Sequence, residues 1–259
     1  MNRQGKWRLE FAVVVAAGLS LLATSSAFAL EQRGGVAYYP LAPGSRVAVE
    51  NVHGSIWVKG WDRAEVEVVV IKTFAAADAH PEDVAISVEQ SEGELRLRTL
   101  YTVPLEEPAR VDYRLRVPRQ VKLKGLRTLE GSITVRDIEG SVEAQSLRGN
   151  IRQVNISGSV LARTISGDIT VLLRALPGAA TPLRLETASG NISLLLPPGA
   201  NADLEMSTTA GRIEGSLPLA VSDAPGDGTL RARLGRGGTP VRLRTIRGNI
   251  RVVEGQELL

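Results

Sequence analysis

Two stretches of this 259-residue sequence carry the same five residues, Arg148-Gly-Asn-Ile-Arg152 and Arg247-Gly-Asn-Ile-Arg251. Arg127, Arg136, Arg163, Arg242 and Arg244 lie close to them. A planar guanidinium makes two parallel hydrogen bonds to carboxylate or phosphate, so arginines stacked at a fixed interval suit an anionic ligand. Arg148, Arg152, Arg247 and Arg251 are therefore the candidate anion-binding residues, for an anionic envelope polymer or lipid head group. Glu130 occupies the slot of Arg148 one repeat earlier, and Glu143 lies between Arg136 and Arg148, so part of that field is cancelled.

The carboxylates Asp137, Asp168, Glu186, Asp203, Glu205 and Glu214 are what a polysaccharide-cleaving β-helix would draw on. Glycoside hydrolysis needs two carboxyls roughly 5–10 Å apart with separated pKa values. These residues scatter over different positions of the repeat. Asp168 follows a glycine, in a slot filled elsewhere by Ser132, Asn150, Asn191 and Arg212, and the needs of a turn account for it. The two histidines, His53 and His80, belong to no ligand-spaced motif, and no Gly-x-Ser-x-Gly elbow is present. The absence of cysteine excludes thiol catalysis, disulfides and cysteine metal sites. The glycine–aspartate density of calcium-binding β-rolls is missing as well. No catalytic, metal or cofactor residue is assigned. Trp57 and Trp61 could form a sugar platform, but they fit better as a cover over the end of a β-core.

The frame for these residues is a nine-residue beat. Gly131, Gly140, Gly149, Gly158 and Gly167 are each followed two residues later by Ile or Val. Four residues after the glycine come Val135, Ala144, Ala162 and Val171, with Gln153 breaking the column; two before the next glycine come Ile138, Leu147, Ile156 and Ile165. Period-2 alternation of β-branched residues after a turn glycine reads as one strand and one corner. A fixed period makes the chain a repeat architecture. A small hydroxyl residue, Thr128, Ser146 or Thr164, precedes every second glycine, so two units form an 18-residue rung. Thr187…Gly190, Thr208…Gly211 and Thr245…Gly248 continue the series, with rungs lengthening to 23 and then 21 residues.

The expected fold is all-β: a solenoid, β-helix-like stack with about two strands per 18–23-residue rung and parallel pairing between rungs. Residues 45–255 form a single domain, with 45–124 an irregular N-terminal β cap and 125–255 the repeat region, after an N-terminal extension, 30–44. Gly54-Ser-Ile56 is an early copy of the repeat. Residues 75–83 form a loop or short helical turn, and residues 222–228 and 235–240 mark an excursion before the last rung.

Residues 1–29 read as a cleaved signal peptide. Arg3, Lys6 and Arg8 precede the apolar stretch Phe11–Ala23, and Ala27-Phe28-Ala29 is a small-x-small cleavage site. Thirteen apolar residues fall short of the roughly 20 that span a bilayer. Without this leader the 31 basic and 28 acidic residues become 28 and 27, a balanced chain with no integral membrane segment. An aromatic content of 4% speaks against nucleic acid as a partner. The expected location is the periplasm or the extracellular face of the envelope.

The prelude Val49-Glu-Asn-Val-His-Gly-Ser-Ile-Trp-Val-Lys-Gly-Trp-Asp62, the segment Tyr113-Arg-Leu-Arg-Val-Pro118 and the Gly-x-Ile series with Pro197-Pro-Gly199 resemble a bacterial family of β-strand-repeat domains regarded as adhesins, of unknown biochemical function and related to adhesin-head domains. The resemblance covers roughly residues 45–253. It implies an exported, non-enzymatic protein that binds or scaffolds in the cell envelope, in some bacteria linked to envelope stress, with a partner that is an envelope polymer or another envelope protein. The alternative is a carbohydrate-active β-helix enzyme.

Overall fold

A computed structural model describes residues 28–29, 35–74, 81–102, 109–179, 181–216, 219–223 and 229–255. Most of the expected leader, His80 and residues 75–80 and 224–228 lie outside the described residues. The N-terminal strands are Phe28–Ala29 (β1), Val36–Pro40 (β2), Arg46–Glu50 (β3), Ile56–Trp61 (β4), Glu65–Thr73 (β5), Val84–Ser91 (β6), Glu94–Tyr101 (β7) and Arg110–Pro118 (β8). The strict repeats give Lys122–Glu130 (β9), Ile133–Ile138 (β10), Val142–Arg148 (β11), Ile151–Ile156 (β12), Val160–Ser166 (β13) and Ile169–Leu173 (β14). The looser ones give Leu183–Ser189 (β15), Ile192–Leu196 (β16), Ala202–Ala210 (β17), Ile213–Gly215 (β18), Leu219–Asp223 (β19), Thr229–Leu234 (β20), Thr239–Arg247 (β21) and Ile250–Glu254 (β22). Among the described residues the only helical element is a 3-10 turn, Pro81–Asp83, and no helix is long and apolar enough to cross a membrane.

Successive units alternate between two facing sheets. The larger has the order β1-β6-β7-β3-β9-β11-β13-β15-β21-β17-β20-β19, the smaller β18-β22-β16-β14-β12-β10-β4-β8-β5-β2. The 18-residue register is explicit in the pairs Ile133↔Ile151↔Ile169 and Val142↔Val160. Inward columns such as Ile56, Ile133, Ile151, Ile169, Ile192 and Ile250 are at most 1% exposed and form one continuous aliphatic core between the sheets. Burying each such side chain is worth about 1.5–3 kcal/mol.

The corners explain the glycines. At Gly149 φ is +152°, and an added Cβ would overlap the carbonyl oxygen of Gly131 in the rung below. Gly131, Gly167, Gly190, Gly211 and Gly248 stand over a glycine carbonyl in the same way, and Gly158 stands over Gly140 at the opposite corner. Backbone approach, more than turn shape alone, fixes the residue type.

One expectation is corrected. Rungs do not stack in chain order: Gly248 lies directly over Gly190, and Gly211 over Gly248. Accordingly β21 sits between β15 and β17, and β22 between β16 and β18. Every unit presents the same columns, so spacing does not specify which copies are neighbours. What decides is the hairpin partner β20, antiparallel to β17 and followed by β19, which makes β17 the outer rung and sends the last strands back inside. The N-terminal end follows the same rule. Within 45–124, β3–β4 and β7–β8 are themselves parallel rungs, β7–β8 is the outer one, and β5 and β6 cap it antiparallel. Such strands shield the ends of the stack from unlimited edge pairing.

Gln153 is fully buried in a column between Val135 and Val171, and neither its amide nitrogen nor its oxygen finds a partner. Gln153→Leu is expected to stabilise the protein by about 1–3 kcal/mol, the desolvation cost of an unpaired amide, read from the denaturant midpoint. By contrast Gly149→Ala should destabilise it by about 2 kcal/mol or more. Gly178→Ala, where an added Cβ meets nothing within 4 Å, should be near neutral.

Candidate functional site

In the larger sheet the residue three before each corner glycine points inward and is polar. Thr128, Ser146, Thr164, Thr187, Thr245 and Thr208 are 1–6% exposed. Each donates its hydroxyl to the glycine carbonyl of the adjacent rung: Ser146 to Gly131 (3.0 Å), Thr164 to Gly149 (3.0 Å), Thr245 to Gly190 (2.9 Å) and Thr208 to Gly248 (2.8 Å). Near the N-terminal end Asn51 takes this place. Its Nδ2 donates to Val111 O (2.8 Å), and its Oδ1 accepts from Thr99, whose hydroxyl also meets that of Tyr113 (2.7 Å). Burial pushes the Tyr113 hydroxyl well above its ordinary pKa, against the opposing effect of the Thr99 bond.

Because the hydroxyl residue takes the interior, pleating forces the next residue outward. That residue is Leu129, Leu147, Ile165, Ala188 or Ile246. Leu129, Leu147, Ile165 and Ile246 are 37–56% exposed and stack in consecutive rungs, with Ala188 as a notch between Ile165 and Ile246. They line a groove of about 520 Å³ along the corner of the larger sheet. In the smaller sheet the equivalent Ile138 and Ile156 are fully buried. There Asp137 (φ 59°) and Asn155 (φ 63°) bulge and reset the alternation before the corner. Leu147 and Ile165 were expected to share one apolar position with Ile138 and Ile156; the bulges separate them.

The groove has two polar banks. One is the column Arg127, Gln145, Arg163, Glu186 and Arg244. Arg163 is bonded to Glu186 (2.8 Å) and Arg127 is 4.0 Å from Glu143, whereas Arg244 has no ion-pair partner among the described residues. The other bank, next to the ladder in sequence but outside the groove's lining, runs Glu130, Arg148, Ser166, Ser189 and Arg247.

The four expected arginines therefore do not form one stripe. Arg148 and Arg247 share the second bank but stand three rungs apart, about 14 Å at a strand spacing of ~4.8 Å. Arg148 is paired with Glu130 (2.7 Å), while the Arg247 guanidinium has no ion-pair partner among the described residues. Arg152 and Arg251 project from the smaller sheet, again three rungs apart, and Arg251 lies beside Glu214. Identical sequence context gives equivalent positions in different rungs, not proximity.

Five of the six candidate carboxylates, all but Glu214, are engaged in hydrogen bonds or ion pairs among the described residues. Asp168 accepts from the backbone amide of Asn191 (2.7 Å), within a ladder in which Asn150, Asp168, Asn191 and Asn249 each bond the next rung's amide. Asp137 accepts from Asn155 (2.9 Å), and Glu186 meets Arg163 and Arg184. Asp203 and Glu205 leave one face of β17, the carboxyl pair closest in sequence. The Gly238 amide, then Arg233, hold Asp203 below the ordinary carboxylate range, and Glu205 meets Arg242 (3.2 Å). For Asp203 this is the opposite of the raised pKa that a general acid requires. His53 bonds Glu130 (3.1 Å), and no group of three or more His, Cys, Asp or Glu among the described residues could hold a metal. Trp61 donates to Glu65 O beneath Arg63, closing the β4–β5 turn, and Trp57 lines a separate concavity with Arg110, Asp112 and Arg114.

A family profile described as Toastrack DUF4097 matches residues 47–253. The chain belongs to this family. The matched span runs from β3 to β22, so the Toastrack domain includes both antiparallel caps as well as the stack. No curated protein matches the chain. Two solved structures are similar to it. One is of a candidate cell adhesion protein from Clostridium sporogenes, with 11% identity, a TM-score of 0.43, and 86% of this chain and 100% of that chain covered. The other is of a candidate adhesin from Bacteroides fragilis, with 8% identity, a TM-score of 0.41, and 86% and 98% covered.

The Toastrack groove and core respond differently to polar substitution. Leu147→Ser combined with Ile165→Ser should stay within about 1 kcal/mol of wild type in thermal melts, because both side chains already meet water. Ile151→Asp, one strand away but interior, should cost more than about 3 kcal/mol or prevent folding.

Proposed function

We propose that this protein is a non-catalytic binding scaffold of the cell envelope, and that the groove of the larger sheet is its binding face. The observation that carries the reading is the ladder Leu129, Leu147, Ile165 and Ile246, which stays exposed beside inward aliphatic columns that are almost fully buried. A contiguous apolar strip rimmed by polar residues marks an interaction surface. The stack supports it rigidly, since each rung is fixed by ladder bonds, a corner glycine and a buried hydroxyl. The bonded carboxylates favour binding over hydrolysis. Residues 1–29, with their basic start, apolar run and Ala27-Phe28-Ala29, support export. The family carries no assigned activity to borrow.

Two measurements test this. Fractionated cells should hold the protein in the envelope or periplasmic fraction, with Leu30 as its first residue by intact mass; a cytoplasmic chain retaining residues 1–29 overturns the location. Neutral and acidic polysaccharides incubated with purified protein should yield neither new reducing ends nor unsaturated products. Turnover abolished by substituting one carboxylate would establish an enzyme instead.

A further inference from the structure

We infer that the groove holds a single fatty acid, its acyl chain laid along the stack axis and its carboxylate at the Arg244–Arg247 end. The inference rests on the reading of this groove as a binding face and names its ligand.

The pitch of the ladder selects the ligand. Leu129, Leu147, Ile165, Ala188 and Ile246 occupy five adjacent rungs. Four spacings of ~4.8 Å make an apolar floor about 19 Å long. An extended polymethylene chain advances ~1.3 Å per carbon, given carbon–carbon bonds of ~1.5 Å, so about 15 carbons cover the floor without any register requirement. An extended peptide is different: its same-face side chains recur at about 6.6 Å and fall out of step with the ladder after two rungs. The floor is also only one side chain wide, because charged or polar columns bound it on both sides. That width fits one chain.

Charge sets the direction. At the Leu129 end the flanking arginines are compensated, Arg148 by Glu130 (2.7 Å) and Arg127 by Glu143 (4.0 Å). At the Ile246 end Arg244 and Arg247 flank the last apolar residue, and neither has an ion-pair partner among the described residues. Glu186 is next to Arg244 in register, but its oxygens are on Arg163 (2.8 Å) and Arg184 (3.6 Å). Beyond Ile246 the column passes to Thr209, where the apolar floor ends. A carboxylate here meets the Arg244 guanidinium in the groove with Arg247 at its edge, neither ion-paired among the described residues, and the methyl end lies in the neutralised part of the groove. The same charges disfavour a second copy: antiparallel stacking about Ile165 would set Arg163 against Arg163 and Arg127 against Arg244.

The test is calorimetric titration of the purified full chain with sodium palmitate in its monomeric range. One palmitate should bind per chain, with octanoate at least a hundredfold weaker because it covers half the floor. Arg244→Gln with Arg247→Gln should weaken palmitate about tenfold and leave uncharged glycerol monopalmitate unchanged. Leu147→Ser with Ile165→Ser should abolish both, with thermal melts showing both double variants folded. Palmitate binding indifferent to both double variants overturns the inference. So does binding to phosphatidylglycerol vesicles without binding to monomeric palmitate, which would make the groove a membrane face. A dimer that Leu147→Ser dissociates would make it a self-interface and equally overturn the assignment. Polysaccharide turnover or a cytoplasmic location would refute the envelope-scaffold reading, yet the titration of purified protein would still decide on the ligand.

Discussion

Everything in this structure depends on how closely one rung approaches the next at the corner. At Gly149 the backbone passes over the Gly131 carbonyl with no room for a side chain, and Ser146 donates a hydrogen bond to that same oxygen. The two features are coupled. A carbonyl covered by another backbone is removed from water, and a buried acceptor left unpaired costs about 1–3 kcal/mol. The hydroxyl three residues upstream satisfies it from inside the core. Without the glycine the rungs could not close; without the hydroxyl the closed corner would hold an orphaned acceptor.

That polar spine also shapes the surface. Where Ser146 and Thr164 turn inward, Leu147 and Ile165 must turn outward, because a strand without a bulge alternates strictly. The smaller sheet escapes the constraint through positive φ at Asp137 and Asn155, so that Ile138 and Ile156 return to the interior. The outward direction of this column is thus a geometric consequence of satisfying the corner carbonyls, whereas its apolar residue types are not. Its neighbouring columns carry the charge. In parallel in-register stacks equivalent positions become neighbours at one strand spacing, so single changes such as Glu130 under Arg148 decide whether a guanidinium is free. At the Ile246 end Arg247 has Ser189 and Ala210 as its register neighbours, while Glu186 beside Arg244 is engaged by Arg163 and Arg184, so neither arginine has an ion-pair partner among the described residues.

The exception inside the core is Gln153. Its column is aliphatic on both sides and offers no hydrogen-bonding group to either end of the amide. Nothing in the structure explains why glutamine stands there.

The sequence by itself determined the all-β class, the two-strand rung, the parallel register of 18 residues, the glycine and hydroxyl columns and the structural role of Asp168. All of these are local: a corner needs a residue without a Cβ, and an alternating β-branched segment needs one buried face. Tertiary structure decided which rungs touch. Gly248 stacks on Gly190 although the Gly211 unit lies between them in the chain, since identical units carry no information about order and the antiparallel caps alone select the ends. It also decided that Arg148 and Arg247 stand three rungs apart. The groove was half legible. The period-2 rule applied after Ser146 and Thr164 exposes Leu147 and Ile165, but the bulges at Asp137 and Asn155, which break that rule in the opposite sheet, arise where the chain must turn toward its neighbour and leave no signature in residue spacing.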